Sequence, residues 1–241
     1  MNNTMVSVII VNYNGKTYLE ECLKSLSKIS YNEYEVILVD NNSEDSSVEF
    51  VKANYPEVRI IKLDQNYGFA EPNNLGAKNA KGDLLLFLNN DTLVTPDFLT
   101  ELVKMTSDPK IAIFQSLLLK PNGDVDSSGD FVNTLGIAYS SKTKPTEPKT
   151  ILSGRGAAIM IRKNKFWELG GFDQNYFASL EDVDLGWRAW IMGYKVVLVP
   201  SSIVYHKGGQ TVNRLDSVIR FHGVKNTLLL ILANFELRLI I

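Results

Sequence analysis

The chain has 241 residues, 45% hydrophobic and 22% charged, ordinary globular values that exclude wholesale disorder. A formal net charge of −2 gives no global electrostatic case for nucleic acid, and the single Cys22 excludes an intramolecular disulfide framework or a cysteine-based metal cluster. The length suits one large α/β domain, or one domain with an appendage.

The first residues lack the basic-then-apolar pattern of a secretory leader, so a cytoplasmic setting is expected. Val6 to Val11 is a β-branched strand that breaks at Asn12-Tyr13-Asn14-Gly15. Tyr18, Leu19, Cys22, Leu23 and Leu26 then recur at helical spacing. Glu35 to Val39 predicts a second strand, ending at Asp40-Asn41-Asn42-Ser43, with Ser43 as cap of the next helix. Val58 to Leu63 predicts a third strand, followed by Asp64-Gln65-Asn66-Tyr67-Gly68. A helix is expected from Ala70 to Ala80, stopped by Gly82. Leu84-Leu85-Leu86-Phe87-Leu88 is apolar throughout, as in a strand covered on both faces, and runs into Asn89-Asn90-Asp91-Thr92. This βαβ succession points to a doubly wound, mostly parallel sheet.

Each of these strands ends in a loop bearing Asn or Asp, and in a parallel sheet those ends share one edge. Asn12, Asp40, Asn66 and Asp91 are therefore expected to converge where open α/β sheets bind ligands. A carboxylate beside two amides suits a hard divalent cation carrying a phosphate, although the same residues also make plain turns. No G-x-G-x-x-G follows the first strand and no P-loop signature exists, which counts against a dinucleotide dehydrogenase and a P-loop enzyme.

Thr95-Pro96-Asp97 reads as a helix start, and Ile111 to Leu119 as a strand. From 120 to 153 the chain is polar and without sustained periodicity, as in a binding loop or a solvated excursion. Glu181-Asp182 open a helix running to about Met192, where carboxylates complement the helix dipole; Asp184 and Arg188 are spaced to pair. His206 is expected on a loop after a strand from Val196 to Val199. Between 206 and 225 the cations Lys207, Arg214, Arg220 and Lys225 face only Asp216. Leu228 to Ile241 is apolar but shorter than a membrane span, so it reads as an interfacial anchor or as a helix packed on the domain or on a second subunit. The apolar ending leads us to expect a longer parent protein.

In this order, Val8 to Gly15, Val39 to Ser43, Asn66 to Ala70, Phe87 to Asp91, Gly171-Phe172-Asp173, Glu181 to Leu185 and Arg188 resemble family 2 glycosyltransferases, over roughly residues 5 to 210. The similarity is strongest to the rhamnosyltransferase-like branch that builds surface polysaccharides. It implies a GT-A fold: a Rossmann-like, doubly wound sheet with a nucleotide-binding half (1–95) and an acceptor-side half (96–225), the apolar helix 226–241 following. It implies a nucleoside-diphosphate sugar donor, a UDP- or dTDP-sugar above all, a glycan or lipid-linked glycan acceptor, a divalent metal (Mg²⁺ or Mn²⁺) and inversion at the anomeric carbon. Carried over by position, Asn12, Tyr13 and Asp40 line the nucleoside pocket, with Asn14, Asn42, Asn66, Gly68, Asn74 and Asn90 completing the nucleotide cleft. Asn89-Asn90-Asp91 matches the family's Asp-x-Asp element, with Asp91 as metal ligand. Asp182 matches the general base, Glu181 helps hold the acceptor, and His206 stands where related enzymes place a metal-binding histidine.

Two departures matter. Asn89 replaces the first aspartate of that element, so metal binding without nucleotide should be weak. Glu71-Pro72 stands where relatives often carry small residues. A sugar nucleotidyltransferase and a binding-only relative are the alternatives; the former normally brings a Gly- and Lys/Arg-rich phosphate loop that residues 12 to 20 lack. Peripheral association with the inner face of the cell membrane and homo-oligomerisation are both compatible with the sequence.

Overall fold

The computed structural model describes residues 4–208 and 216–235, with 216–220 as backbone only. Strands β1 (Val6–Asn12), β2 (Tyr34–Asp40), β3 (Arg59–Lys62) and β4 (Leu84–Leu88) alternate with helices α1 (Lys16–Leu26), α2 (Ser47–Asn54) and α3 (Ala70–Asn79). β1 pairs in parallel with both β2 and β4, and β2 with β3, with Asn12 opposite Asp40 and Asp40 opposite Lys62. The carboxyl ends of these strands therefore form one edge.

The strands read as unbroken apolar runs because both sheet faces are covered. Val8 and Ile10 point toward α1, into a core with Leu19, Cys22, Leu23 and Leu26. Ile9 points the other way, with Phe87, Phe166 and Phe172. Those three rings pack with centroids 4.8–5.4 Å apart. Gly76 lets α3 sit tightly on the sheet, since a Cβ there would lie 2.5 Å from Ile9.

Beyond β4 come β5 (Thr92–Val94), α4 (Phe98–Lys104), β6 (Ile111–Leu119), β7 (Val125–Ser127), β8 (Asp130–Val132), β9 (Ala138–Ser140), β10 (Lys149–Ile151) and β11 (Ala158–Arg162). Helices α5 (Lys163–Glu168) and α6 (Glu181–Ile191), strand β12 (Lys195–His206) and helix α7 (Asp216–Asn234) complete the described chain. The main sheet order is β10-β12-β6-β11-β4-β1-β2-β3. The doubly wound reading holds for β1 to β4. β11 then enters antiparallel between β4 and β6, so the second half of the sheet is mixed.

Several local expectations are corrected. α2 starts at Ser47, not after Ser43, because Ser43 Oγ is occupied by Asn14 N (3.0 Å) and Asn12 Nδ2 (3.1 Å). α3 ends at Asn79, before Gly82, whose N–H donates to Ser7 Oγ. Thr95 does not cap: its hydroxyl donates to Ile203 O, and α4 begins at Phe98. The stretch 120–153 is not a bare loop but contains four three-residue strands, β7 to β10. His206 ends a strand instead of lying beyond one; β12 carries an irregularity between Val199 and Ile203, around Pro200, that hides its continuity in the sequence.

The apolar helix expected from 226 is the second half of α7, which packs on the domain. Asn234 Nδ2 donates to Asp184 Oδ1 (3.0 Å), and Phe235 lies against Trp187. Phe221, Val224, Leu228 and Leu232 stay exposed on its outer face. Among the described residues no helix is long and apolar enough to cross a membrane. Arg214, the side chain of Arg220 and the segment after 235 lie outside the described residues.

Candidate active site at the carboxyl edge of the sheet

A cleft of about 740 Å³ opens at this edge. Of the predicted residues, Tyr13, Asn66, Gly68, Asn90, Asp91, Glu181, Asp182 and His206 line it. Asn12, Asn14, Asp40, Asn42 and Asn74 do not.

Asn12 is fully buried beneath the floor and ties three strand ends together. Its Oδ1 accepts from Asn90 Nδ2 (2.8 Å), while its Nδ2 donates to Asp40 Oδ1 (3.4 Å) and Ser43 Oγ. Asp40 is equally buried, and its other oxygen accepts from Ser43 N (3.1 Å). Asn14 Oδ1 accepts from Glu44 N. Asn74 is turned away: it donates to Phe172 O (2.7 Å) and accepts from Phe172 N (2.9 Å), clamping α3 to the Gly171-Phe172 turn. Asn42 is exposed, whereas its neighbour Asn41 is buried and lines the cleft. Asn41 donates to Asn66 Oδ1 (3.0 Å) and Gly68 O (2.7 Å) and accepts from Tyr67 N. Gly68 has φ +79°, and a Cβ there would lie 2.0 Å from Phe177 O, so only glycine lets this loop meet the turn before α6.

Asp91 and His206 meet because β5 pairs antiparallel with the end of β12, setting Thr92 opposite His206. Nε2 of His206 lies 3.3 Å from Asp91 Oδ1, close enough for charge attraction but not aligned as a hydrogen bond. Asp91 Oδ1 is thus a buried carboxylate oxygen without a hydrogen-bond donor. An unsatisfied oxygen facing an imidazole nitrogen is a donor set that suits a divalent cation, so the residues fit such an ion. Among the described residues no three His, Cys, Asp or Glu side chains converge on one point, so the remaining ligands would come from elsewhere. The other ring nitrogen, Nδ1, is 2.8 Å from Asp126 Oδ2. Burial alone would lower His206, but its contacts with Asp126 and Asp91 outweigh it and raise its pKa to about 9.

At the opposite wall Glu181 and Asp182 begin α6. The turn before them holds Ser179 and Leu180 at φ +74° and +72°, and α7 braces it: Asn226, fully buried, donates to Ala178 O and Ser179 O. Strained backbone of this kind persists where its surroundings over-determine it. Asp182 Oδ2 accepts from Gly156 N (2.6 Å) and Oδ1 from Val183 N (2.8 Å). Burial, reinforced by the charge of Asp130, pushes its pKa up to about 6. Glu181 is buried, its Oε2 has no partner, and burial beside Asp182 raises its pKa well above the usual carboxylate range. Asp184 and Arg188 pair as spaced, at 2.7 Å.

Three functional-edge residues escape a sequence reading. Arg155 reaches Asp126 (3.3 Å) and Asp130 (3.5 Å) and donates to Ser140, all from the stretch 120–153. The only local signal is a cation between two glycines, Gly154-Arg155-Gly156, just ahead of an apolar strand. Asp126 and Asp130 carry no signal at all.

Solved structures share this mixed α/β sheet. The chain superposes on GalNAc-T7, a structure with UDP, GalNAc and Mn²⁺, with a TM-score of 0.73 at 23% identity, covering 84% of this chain and 43% of that one. For the mannosyltransferase PcManGT of Pyrobaculum calidifontis, in complex with GDP-Man and Mn²⁺, the TM-score is 0.66 at 19% identity, covering 85% and 57%. The fold is GT-A. The sequence profile of "Glycosyl transferase family 2" matches residues 7–170, and the chain belongs to that family. Among curated relatives, the O-antigen biosynthesis protein RfbC of Myxococcus xanthus is 33% identical over 230 residues, 88% of this chain but 18% of that protein. The N-acetylglucosaminyl-diphospho-decaprenol L-rhamnosyltransferase of Mycobacterium tuberculosis is 29% identical over 242 residues, covering 87% and 78%.

Proposed function

We propose that this chain is the catalytic unit of an inverting, metal-dependent glycosyltransferase of surface polysaccharide synthesis. It takes a nucleoside-diphosphate sugar, a UDP- or dTDP-sugar by preference, and a hydroxyl of a glycan or lipid-linked glycan. The observation that carries this reading is that one cleft joins an Asp–His pair suited to a cation with a carboxylate poised near neutrality. The solved neighbours, with UDP or GDP-Man beside Mn²⁺, support the donor class. The name of the mycobacterial relative supports a lipid-diphosphate-linked acceptor.

In this reading Tyr13, Asn41, Asn66, Gly68 and Asn90 line the nucleotide end, Asn12, Asn14 and Asp40 hold its loops from behind, and Asn42 serves the same loop through its left-handed backbone. Asp91 and His206 would hold Mg²⁺ or Mn²⁺, which when bound supplies positive charge to the departing diphosphate. Asp182 takes the proton of the acceptor hydroxyl. That oxygen bonds to the anomeric carbon on the face opposite the diphosphate, and the carbon–oxygen bond to the diphosphate breaks with its electron pair. A base with a pKa of about 6 is ionised at neutral pH yet still able to accept a proton, which suits general-base work. Glu181, kept protonated by burial, donates a hydrogen bond to the acceptor.

The unit 1–225 carries these parts, with donor contacts in 1–95 and acceptor contacts in 96–225. Peripheral association with the inner membrane face belongs to the proposal, supported by the exposed stripe Phe221, Val224, Leu228 and Leu232. A homo-oligomer would cover the same stripe; co-sedimentation with anionic liposomes against sedimentation velocity separates the two. The deciding experiment for function is calorimetric titration of UDP-, dTDP- and GDP-sugars with and without Mn²⁺ or Mg²⁺. Metal-dependent binding of one class is expected. Folded protein that binds none of them sinks the proposal.

A further inference from the structure

We infer that Asp126 is a positioning residue of the metal edge, fixing the His206 ring through Nδ1 so that Nε2 is the nitrogen that faces Asp91 and is left to take a metal. This rests on the reading of Asp91 and His206 as metal ligands.

Three features carry it. The first is backbone geometry. In the β6–β7 pair, Leu118 faces Ser127 and Leu119 faces Val125, so Asp126 is an extra residue on β7, bulged out of the ladder. A bulge of this kind re-aims one side chain and is common beside active sites. β6 lies between β7 and β12, with Leu118 opposite Val204 and Leu119 opposite Tyr205 on its other flank. The bulge thus throws Asp126 toward the end of β12, where His206 stands.

The second feature is the division of labour around the ring. Nδ1 is engaged by Asp126 Oδ2 at 2.8 Å, and Nε2 alone faces Asp91. A metal-ligating histidine needs one bare nitrogen, and the partner of the other nitrogen decides which one is bare. The third is that Asp126 is itself held. Arg155 Nη1 lies 3.3 Å from the same Oδ2, and the Lys142 ammonium donates to the Asp126 backbone carbonyl. Arg155 also contacts Asp130, the carboxylate next to Asp182. The carboxylate that orients the histidine is therefore anchored to the wall that carries the proposed base.

The test is Mn²⁺ affinity, read from the EPR signal of free Mn²⁺, with each of UDP, dTDP and GDP present. It compares wild type with Asp126→Ala, Asp126→Asn and His206→Ala. Loss of such an outer carboxylate typically weakens metal about 10–100-fold. Asp126→Ala is expected to fall in that range. Asp126→Asn, whose Oδ1 can still accept from Nδ1–H, should recover part of the loss, and nucleotide binding without metal should stay unchanged in both. Wild-type Mn²⁺ affinity in Asp126→Ala, with His206→Ala weakened, overturns the role of Asp126 and spares the metal ligands. Unchanged affinity in His206→Ala sinks the metal-edge reading itself, and this inference with it. If Asp126→Ala does not fold, ¹⁵N spectra of the wild-type histidines with UDP and Zn²⁺ decide: a protonated Nδ1 on His206 supports the assignment, and a protonated Nε2 overturns it.

Discussion

The two walls of the cleft are built from different chemistry. The nucleotide wall is a lattice of neutral amides in which Asn12, Asn41, Asn66 and Asn90 bond to one another and to backbone. The opposite wall is a cluster of titratable and charged groups: Asp126, Asp130, Arg155, His206, Glu181 and Asp182. These amides bond mostly to other amides and to backbone, with Asp40 the carboxylate that Asn12 reaches beneath the floor, so the first wall should change shape with pH less than the second. Buried charges shift one another's proton affinities, and the second wall is where proton transfer can be placed. In the proposed reading the fold separates a nucleotide-binding template from a proton-transfer surface and joins them at Asp91 and at the contact of Gly68 with Phe177.

The largest effect should come from the charged wall. Asp182→Asn removes the proposed base with little change in shape. kcat is expected to fall about 10²–10⁴-fold, with donor affinity unchanged by calorimetry. Near-normal transfer by this variant would break the assignment of reactivity to that wall.

The same residue sets the pH dependence. Its folded pKa is raised, from an ordinary 3.8 to about 6, so the base is lost as pH falls below about 6. log kcat should then drop by about one unit per pH unit, while donor Kd at the amide wall stays flat. The sign for stability is opposite. A carboxyl with a raised folded pKa favours the fold below 3.8, and that advantage is lost as pH rises through about 6. Asp182→Asn should therefore melt higher than wild type at pH 8 and not at pH 4. A flat kcat profile, or an equal gain in melting temperature at both pH values, would remove Asp182 from the account.

The amide wall should respond in stability more than in rate. Asn12→Ala leaves Asn90 Nδ2, Ser43 Oγ and Asp40 Oδ1 each short of a bond, Asp40 in a fully buried setting and the other two half-buried. A loss of about 1–3 kcal/mol in urea unfolding is expected, with weaker donor binding. Wild-type stability would show that the three strand ends are not held through Asn12.

What could be read from the chain divides along the same line. Strands β1, β2 and β4 announce themselves because burial on both faces writes an unbroken apolar run, and their polar ends mark the ligand edge. The charged wall was half legible: Asp182 and Glu181 mark a helix start, but Asp126, Asp130 and Arg155 are single charges in a polar stretch. The strands that carry Asp126 and Asp130 are three residues long, too short for period-two alternation to register, and Arg155 lies on the loop before β11. The insertion of β11 against β4 and β6 has no local cause, since strand order is set by which faces can be buried together. Pro200 masked the continuity of β12 and with it the place of His206. Ser43 and Asn74 have the right residue types for their expected roles, yet each bonds elsewhere, to Asn12 and to Phe172. Local chemistry offers such side chains several partners, and tertiary contacts choose among them.

The smallest expected effect sharpens the comparison most finely, because it sets apart two neighbouring asparagines. Asn41 is buried, lines the cleft and bonds to the loop that carries Asn66 and Gly68; Asn42 is exposed at φ +67°. An asparagine at positive φ is there for its backbone, and glycine adopts that conformation without steric cost. Asn42→Gly should leave stability within about 0.5 kcal/mol, as surface substitutions usually do, with donor affinity unchanged. Asn41→Ala should weaken donor binding and lower the melting temperature, because it frees Asn66 and Gly68 from β2. The reverse order, with Asn42 critical for donor affinity and Asn41 dispensable, would mean that the donor reads the exposed rim of the loop, and that the buried amide lattice shapes the fold without shaping the site.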